Sequence, residues 1–289
     1  MGESGWLPRA VEVGRPHLMS RRGLVRTAGA GAAAWMAWAY LPPATAATAV
    51  QEALEEVLAG RIPIESVRVR LKLPERFDYG NTVPLALSVD SPMTAADHVR
   101  RVDVFAEGNP FPEVATFYLT PDSGRASVST RIRLNEGEQE VVAVAELGDG
   151  SARVGRRAVQ VSISGCSAEA GVAVAYPMPT PKPRLRVPAE VGRNEIVEIK
   201  TMISHRMETG LRTDVHGDSI PRRIINRMTC SRDDRLIFAA DLSPAIAANA
   251  YLSFFVVARA SAALEFAWHE DGGAVYRATH PLAVVRRAI

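Results

Sequence analysis

Alternation between apolar and charged residues is the feature that most limits this chain. Val67, Val69, Leu71 and Leu73 alternate with Arg68, Arg70 and Lys72. A period of two cannot line one face of an α-helix, but it lines one face of a half-buried strand. Comparable segments run from Val83 to Val89, Val102 to Ala106, Ala115 to Leu119, Ala126 to Leu134, Glu140 to Leu147 and Arg153 to Ile163. Gly148-Asp149-Gly150 supplies a hairpin turn between the last two. Seven strands with turn signals every 8–12 residues or so predict an immunoglobulin-like β-sandwich.

The pattern stops at Ser164. Small residues follow, then four prolines within residues 177–183, which reads as a linker stiffening toward its end. Alternation resumes at Leu185 to Val187, Glu195 to Ile203, Ile224 to Ser231, Arg235 to Asp241, Tyr251 to Arg259, Ala263 to His269 and Ala274 to Val285. Asp233-Asp234 and Asp271-Gly272-Gly273 mark hairpins within this set. The predicted fold class is all-β: two immunoglobulin-like β-sandwiches joined by a Pro-rich linker. A short amphipathic helix precedes the first, with Leu54, Val57 and Leu58 inward and Glu52, Glu55 and Glu56 outward.

Ahead of the helix, Arg21 and Arg22 stand just before an apolar stretch from Thr27 to Leu41. About 15 residues are too few to span a bilayer core of ~30 Å. The stretch suits a signal peptide of the twin-arginine type, cleaved after Ala44-Thr45-Ala46, with a short anchor helix as the alternative. The expected divisions are 1–46 signal, 47–166 first sandwich, 167–183 linker and 184–289 second sandwich. Residues 1–46 hold five arginines and two glutamates, so their removal takes the formal charge from +2 to −1. A near-neutral exported chain is a poor nucleic-acid binder. No apolar run beyond the signal reaches 18 residues, so no stable membrane insertion is expected.

Enzyme motifs are missing: there is no G-x-S-x-G, no phosphate-binding loop and no H-E-x-x-H. His98, His205, His216, His269 and His280 lack partners at metal-ligand spacing, so no catalytic residue, metal or cofactor is expected. The two cysteines differ. Cys230 shares one face of a strand with Ile224, Asn226 and Met228, which reads as packed core. Cys166 sits where strand gives way to linker, flanked by Ser164, Gly165, Ser167 and Ala168. These small neighbours leave the thiol unshielded and the backbone free to bend. A Cys166–Cys230 disulfide is the competing arrangement in an oxidising compartment.

Several ordered stretches carry a family resemblance. Gly80-Asn81-Thr82-Val83-Pro84, Ser88 to Met93, Phe105-Ala106-Glu107, Asn109-Pro110, Pro112 to Ala115 and Ser129 to Leu134 resemble SoxY, the sulfur-carrying subunit of thiosulfate oxidation. Glu198 to Thr201, Ile203-Ser204-His205, Met207 to Gly210, Ile220-Pro221-Arg222, Ile224-Ile225-Asn226 and Ser243 to Asn249 resemble its partner SoxZ. The resemblance spans roughly residues 66–285 and is to a fusion of the two families.

That resemblance implies a periplasmic carrier without catalysis of its own. Cys166 is the residue that matches the family's carrier cysteine, which holds thiosulfate-derived sulfur on a mobile arm. The implied partners are a c-type haem enzyme that loads the arm, a metal-dependent hydrolase that releases sulfate, and in some organisms a molybdenum–haem sulfur dehydrogenase. The arm here is Ser164-Gly165-Cys166-Ser167-Ala168, with one glycine rather than four, and it is internal rather than terminal. An internal arm must enter a partner as a doubled strand. The readings left beside this one are a related carrier serving a quinoprotein dehydrogenase and another substrate, a non-catalytic β-sandwich interaction module, and a cryptic enzyme or metal-binding protein.

Overall fold

Where alternation is strict, strands form. The computed structural model describes residues 46–58, 64–165, 180–214 and 216–285. The predicted twin-arginine pair Arg21 and Arg22, the cleavage region, Cys166, Ser167, Ala168 and most of the linker lie outside the described residues. The helix α1 (Ala46–Leu58) leads into β1 (Ile64–Glu65), β2 (Val69–Lys72), β3 (Arg76–Tyr79), β4 (Val83–Val89), β5 (Val99–Ala106), β6 (Glu113–Leu119), β7 (Ala126–Ile132), β8 (Gly137–Leu147) and β9 (Ala152–Ile163). The second half comprises β10 (Pro183–Arg186), β11 (Glu190–Gly192), β12 (Ile196–Ile203), β13 (Ile225–Arg232), β14 (Arg235–Leu242), β15 (Tyr251–Val257), β16 (Ala262–Glu270) and β17 (Val275–Val285).

The fold is all-β with two sandwich halves, but their sheets are shared. One sheet has eleven strands, in the order β1-β9-β8-β5-β6-β14-β13-β16-β17-β11, with β3 also on β9. The other has six, in the order β10-β12-β15-β7-β4-β2. The halves join where β6 pairs antiparallel with β14, from Ala115↔Leu242 to Leu119↔Phe238. On the other sheet β15 pairs with β7 through Leu252↔Thr130 and Ser253↔Ser129. Each junction uses backbone groups that would otherwise line an open sheet edge.

Side chains reinforce the seam. Phe117 of the first half stacks on Phe238 of the second, which stacks in turn on Phe254 at 4.1 Å between ring centroids. One buried cluster therefore runs from Val69 to Leu282. Asp122 accepts from Arg232 (2.9 Å) and Arg259 across the seam. Thr120 and Ser123 donate their hydroxyls to the Ile237 carbonyl at 3.1 and 3.0 Å.

The short helix behaves as its pattern predicts. Leu54 and Leu58 pack on Phe105, Val142, Val144, Ala152 and Val154, a second cluster on the outer side of the large sheet. That explains the unbroken apolar run of β8: Val141, Ala143 and Ala145 face the core while Val142 and Val144 lie under α1.

Turn chemistry also holds. Asp233 and Asp234 both have positive φ (50° and 59°) between β13 and β14, which a tight hairpin of the primed type requires. Strands β1, β3 and β11 were not predicted. They are short and pair in parallel with β9 and β17, so no local alternation announces them. One face was misread. A register shift between Ile225 and Arg227 turns Asn226 out of the core, and its amide donates to Asp271 at 3.0 Å instead.

Because the core and both sheets are continuous, the halves are expected to unfold together. Circular dichroism and tryptophan fluorescence should give one coincident urea transition; two separated transitions would show independent halves.

Candidate functional site

The last described residues before Cys166 are held tightly. At the end of β9 the Gly165 N–H donates to the Leu134 carbonyl at 2.8 Å, and the Leu134 N–H donates to Gly80 at 2.8 Å. Gly165 lies so close to Gly80 that a Cβ on it would fall 1.9 Å from the Gly80 oxygen. A Cβ on Gly80 would fall 2.1 Å from the Leu134 oxygen. Gly165 is therefore buried and required by close backbone approach. The freedom to bend that the sequence suggested at this glycine is not used there, because its N–H and both its neighbours in space are committed.

A set of amides backs this root. The Ser164 hydroxyl donates to Asn135 Oδ1. Asn109, 2% exposed, donates its amide to the Arg133 carbonyl at 2.9 Å and accepts from the Asn135 N–H at 2.9 Å. Gln139 donates to the Asn135 carbonyl at 2.8 Å and accepts from the Gly108 N–H at 3.1 Å. Buried amides satisfied in this way hold one backbone path.

The second half begins toward the same end of the six-stranded sheet, three strands away. The Lys182 carbonyl accepts from Ser204 N–H, just before β10 pairs with β12. Arg133, beside Leu134, ties the two halves together. Its backbone adjoins Leu134, and its guanidinium donates to the carbonyls of Met207 (2.9 Å), Pro244 (3.0 Å), Ile246 (2.8 Å) and Arg206 (3.1 Å) of the second half. Gly165 of the first half and Lys182 of the second thus lie toward the same end of the six-stranded sheet, across the seam.

The loop that Arg133 grips has a buried base. His205 Nδ1 accepts from the Met207 N–H at 2.9 Å, so the ring proton sits on Nε2 and is donated to Glu270 at 3.0 Å. Met207, buried with φ 54°, accepts through sulfur from the Ile225 N–H. Glu270 also accepts from Arg223 and from the Tyr276 hydroxyl at 2.8 Å. Burial opposes its charge, but the bonds from Arg223, His205 and Tyr276 outweigh that and hold its carboxyl at about 2. These groups are all satisfied by one another, and the arrangement shapes a backbone loop rather than presenting an acid or base to solvent.

Cys230 is a free thiol, fully buried in β13. Burial pushes it up to about 12, only partly offset by Arg232. No cluster of three or more metal-ligating side chains occurs among the described residues. None of their helices is long and apolar enough to cross a membrane. The sequence pointed to Ser164 and Gly165, and both lie just after β9, bonded to Asn135 and Leu134. It assigned no role to Gly80, Asn109, Arg133, Asn135 or Gln139. Asn109 lies in the turn Glu107-Gly108-Asn109-Pro110, where an asparagine is ordinary, so its burial had no sequence signal.

Two families account for the two halves. The family described as sulfur oxidation protein SoxY matches residues 54–166, and that described as sulphur oxidation protein SoxZ matches residues 185–281. The chain therefore belongs to the sulfur-oxidation protein families. It is a fusion of SoxY and SoxZ. Among solved structures, it is similar to the sulfur carrier protein SoxY from Chlorobium limicola f thiosulfatophilum, at 25% identity over 41% of this chain and 96% of that one, with a TM-score of 0.35. A superoxide reductase (neelaredoxin) from Ignicoccus hospitalis is similar at 18% identity over 39% of this chain and 90% of its own, TM-score 0.30. A putative superoxide reductase from Thermotoga maritima is similar at 20% identity over 36% and 96%, TM-score 0.31. No curated protein sequence matched.

Two outcomes test this geometry. Gly165→Ala should cost about 2 kcal/mol, the scale of overpacking a tight site, and should speed hydrogen exchange at residue 165. An unchanged unfolding midpoint and exchange rate would mean the root is loose. The Glu270 carboxyl is lowered on folding, so its stabilisation is complete above the unfolded value of about 4.3 and is lost as pH falls toward about 2. Glu270→Gln should flatten the acid limb of the stability curve in that window; parallel curves would assign that limb to other groups.

Proposed function

We propose that this fusion is a periplasmic sulfur-oxidation carrier that holds thiosulfate-derived sulfur covalently on Cys166. It reaches the periplasm folded, by the twin-arginine route signalled by Arg21 and Arg22, with residues 1–46 removed. Residues 47–166 form the carrier domain, 167–183 the linker and 184–289 the partner domain. What chiefly supports the reading is that the SoxY match ends on residue 166. Cys166 directly follows Gly165 in the sequence, and the Gly165 backbone is anchored on Leu134. Ser164, Gly165, Ser167 and Ala168 are the arm.

The chemistry belongs to partner enzymes. A c-type haem enzyme joins the Cys166 thiolate to the sulfane sulfur of thiosulfate: one S–S bond forms and two electrons pass to the haem. The product, Cys–S–S–SO₃⁻, is cut by a metal-dependent hydrolase. Water supplies the oxygen, sulfate leaves and a persulfide stays on Cys166. A sulfur dehydrogenase is the third partner where one exists. Pairing the halves in one chain removes the concentration dependence of their association.

Thiosulfate with the haem enzyme should add one thiosulfonate mass to the protein at Cys166, and Cys166→Ser should abolish it. An alkylating reagent should label Cys166 in the folded protein and Cys230 only after unfolding. Loading that survives Cys166→Ser would sink the carrier role of this residue.

A further inference from the structure

The outer face of the six-stranded sheet takes no part in the site above. Alternation along β12, β15, β7, β4 and β2 sends one set of side chains into the core and the other outward. Register sets the outward residues in rows that cross the seam. One row runs Arg186, Lys200, Ser253, Ser129, Ala86, Lys72. Beside it, toward the end where Gly165 is anchored, lie Arg184, Met202, Tyr251, Arg131 and Pro84, with the Arg131 guanidinium 5.2 Å from the Tyr251 ring centroid. On the far side Arg125 lies over Phe255 at 4.7 Å, and Ser127 and Ser88 lead to Arg70.

The centre of this face is therefore small, with Ser253 buried and donating its hydroxyl to Glu198 at 2.6 Å, and its margins are basic. Two carboxylates stand on or next to its strands, and Glu195 lines a groove with Arg186, Glu198 and Lys200. Glu198 pairs with Lys200 at 3.0 Å, and Asp90 with Arg70 at 2.7 Å. Arg131, Arg184 and Arg186 have no carboxylate at ion-pair distance among the described residues. A chain that is close to neutral without its first 46 residues thus concentrates positive charge on one flat surface. The surface exists only when the halves are paired, since Arg131 comes from the first and Arg184 and Arg186 from the second.

Its position is informative. Arg131 is three residues before Leu134, which holds Gly165, and Arg184 is two residues after Lys182, where the chain returns. A protein approaching Gly165, the residue before Cys166, would overhang the basic rows. Glu198 and Asp90 would oppose a uniformly anionic partner such as a duplex or a bilayer, whereas a protein surface can place its own basic groups against them.

We propose that this face docks an acidic surface of the enzyme that loads Cys166. The inference rests on the carrier reading above. Complementary charge would raise the rate of encounter and orient the enzyme over the arm, with an effect that salt screens.

The test uses the full chain with the c-type haem enzyme and thiosulfate. The rate of adduct formation on Cys166 is followed against carrier concentration, from about 0.05 to 0.5 M salt. With Arg131→Glu, Arg184→Glu and Arg186→Glu combined, KM should rise by about tenfold or more at low salt, with kcat unchanged, and the gap should close as salt rises. Arg184→Gln with Arg186→Gln, a milder change, should move KM in the same direction. Equal KM and equal salt dependence in all three proteins would overturn the docking face while leaving the carrier reading intact. No adduct on the unsubstituted protein under any condition would overturn both. The assignment to a protein partner would also fall if the unsubstituted chain bound a DNA duplex or phosphatidylglycerol vesicles at low salt and the triple variant did not.

Discussion

The rest of the structure depends on the pairing of β6 with β14 and of β7 with β15. Backbone N–H and C=O groups at a sheet edge must find partners or water. Here each half satisfies one edge of each of its sheets with the other half, so that eleven strands form one sheet and six the other. Phe117, Phe238 and Phe254 stack beneath this junction and make the apolar core as continuous as the hydrogen bonding. Sequence similarity divides the chain in two, yet residues 44–289 form one compact unit.

The same pairing builds the region around the arm. Arg133 lies one residue beyond β7, where the first half hands its backbone to the second. Carbonyls from Arg206, Met207, Pro244 and Ile246 converge on its guanidinium because the loop above Glu270 and the loop after β14 meet there. The adjacent Leu134 carbonyl holds Gly165. The close packing around Gly165 thus comes in part from the seam itself. A fused chain keeps that seam formed without a binding equilibrium.

Much of this was legible in the residues. Strict alternation in β4 and β12, the Gly148–Gly150 and Asp233-Asp234 turns, and the inward stripe of α1 are local signals, and local geometry honours them. Short parallel strands escaped, because β1, β3 and β11 owe their existence to a partner far along the chain. Asn226 was misplaced because a bulge shifts the face by one residue, which no period-2 count can foresee. Gly165 was seen but misread: composition suggests flexibility at a glycine, while its real requirement is the absence of a Cβ against Gly80.

By itself the sequence determined that the chain is all-β, that Cys230 packs inside a strand, and that Cys166 stands at a boundary among small residues. Those follow from periodicity and side-chain size, which act over a few neighbouring positions. Only the tertiary structure decided that the two halves share their sheets, that Gly80, Leu134 and Gly165 pack backbone to backbone after β9, and that Arg131, Arg184 and Arg186 gather on one face. Each of these joins residues from distant parts of the chain, and strand register across the seam brings them together.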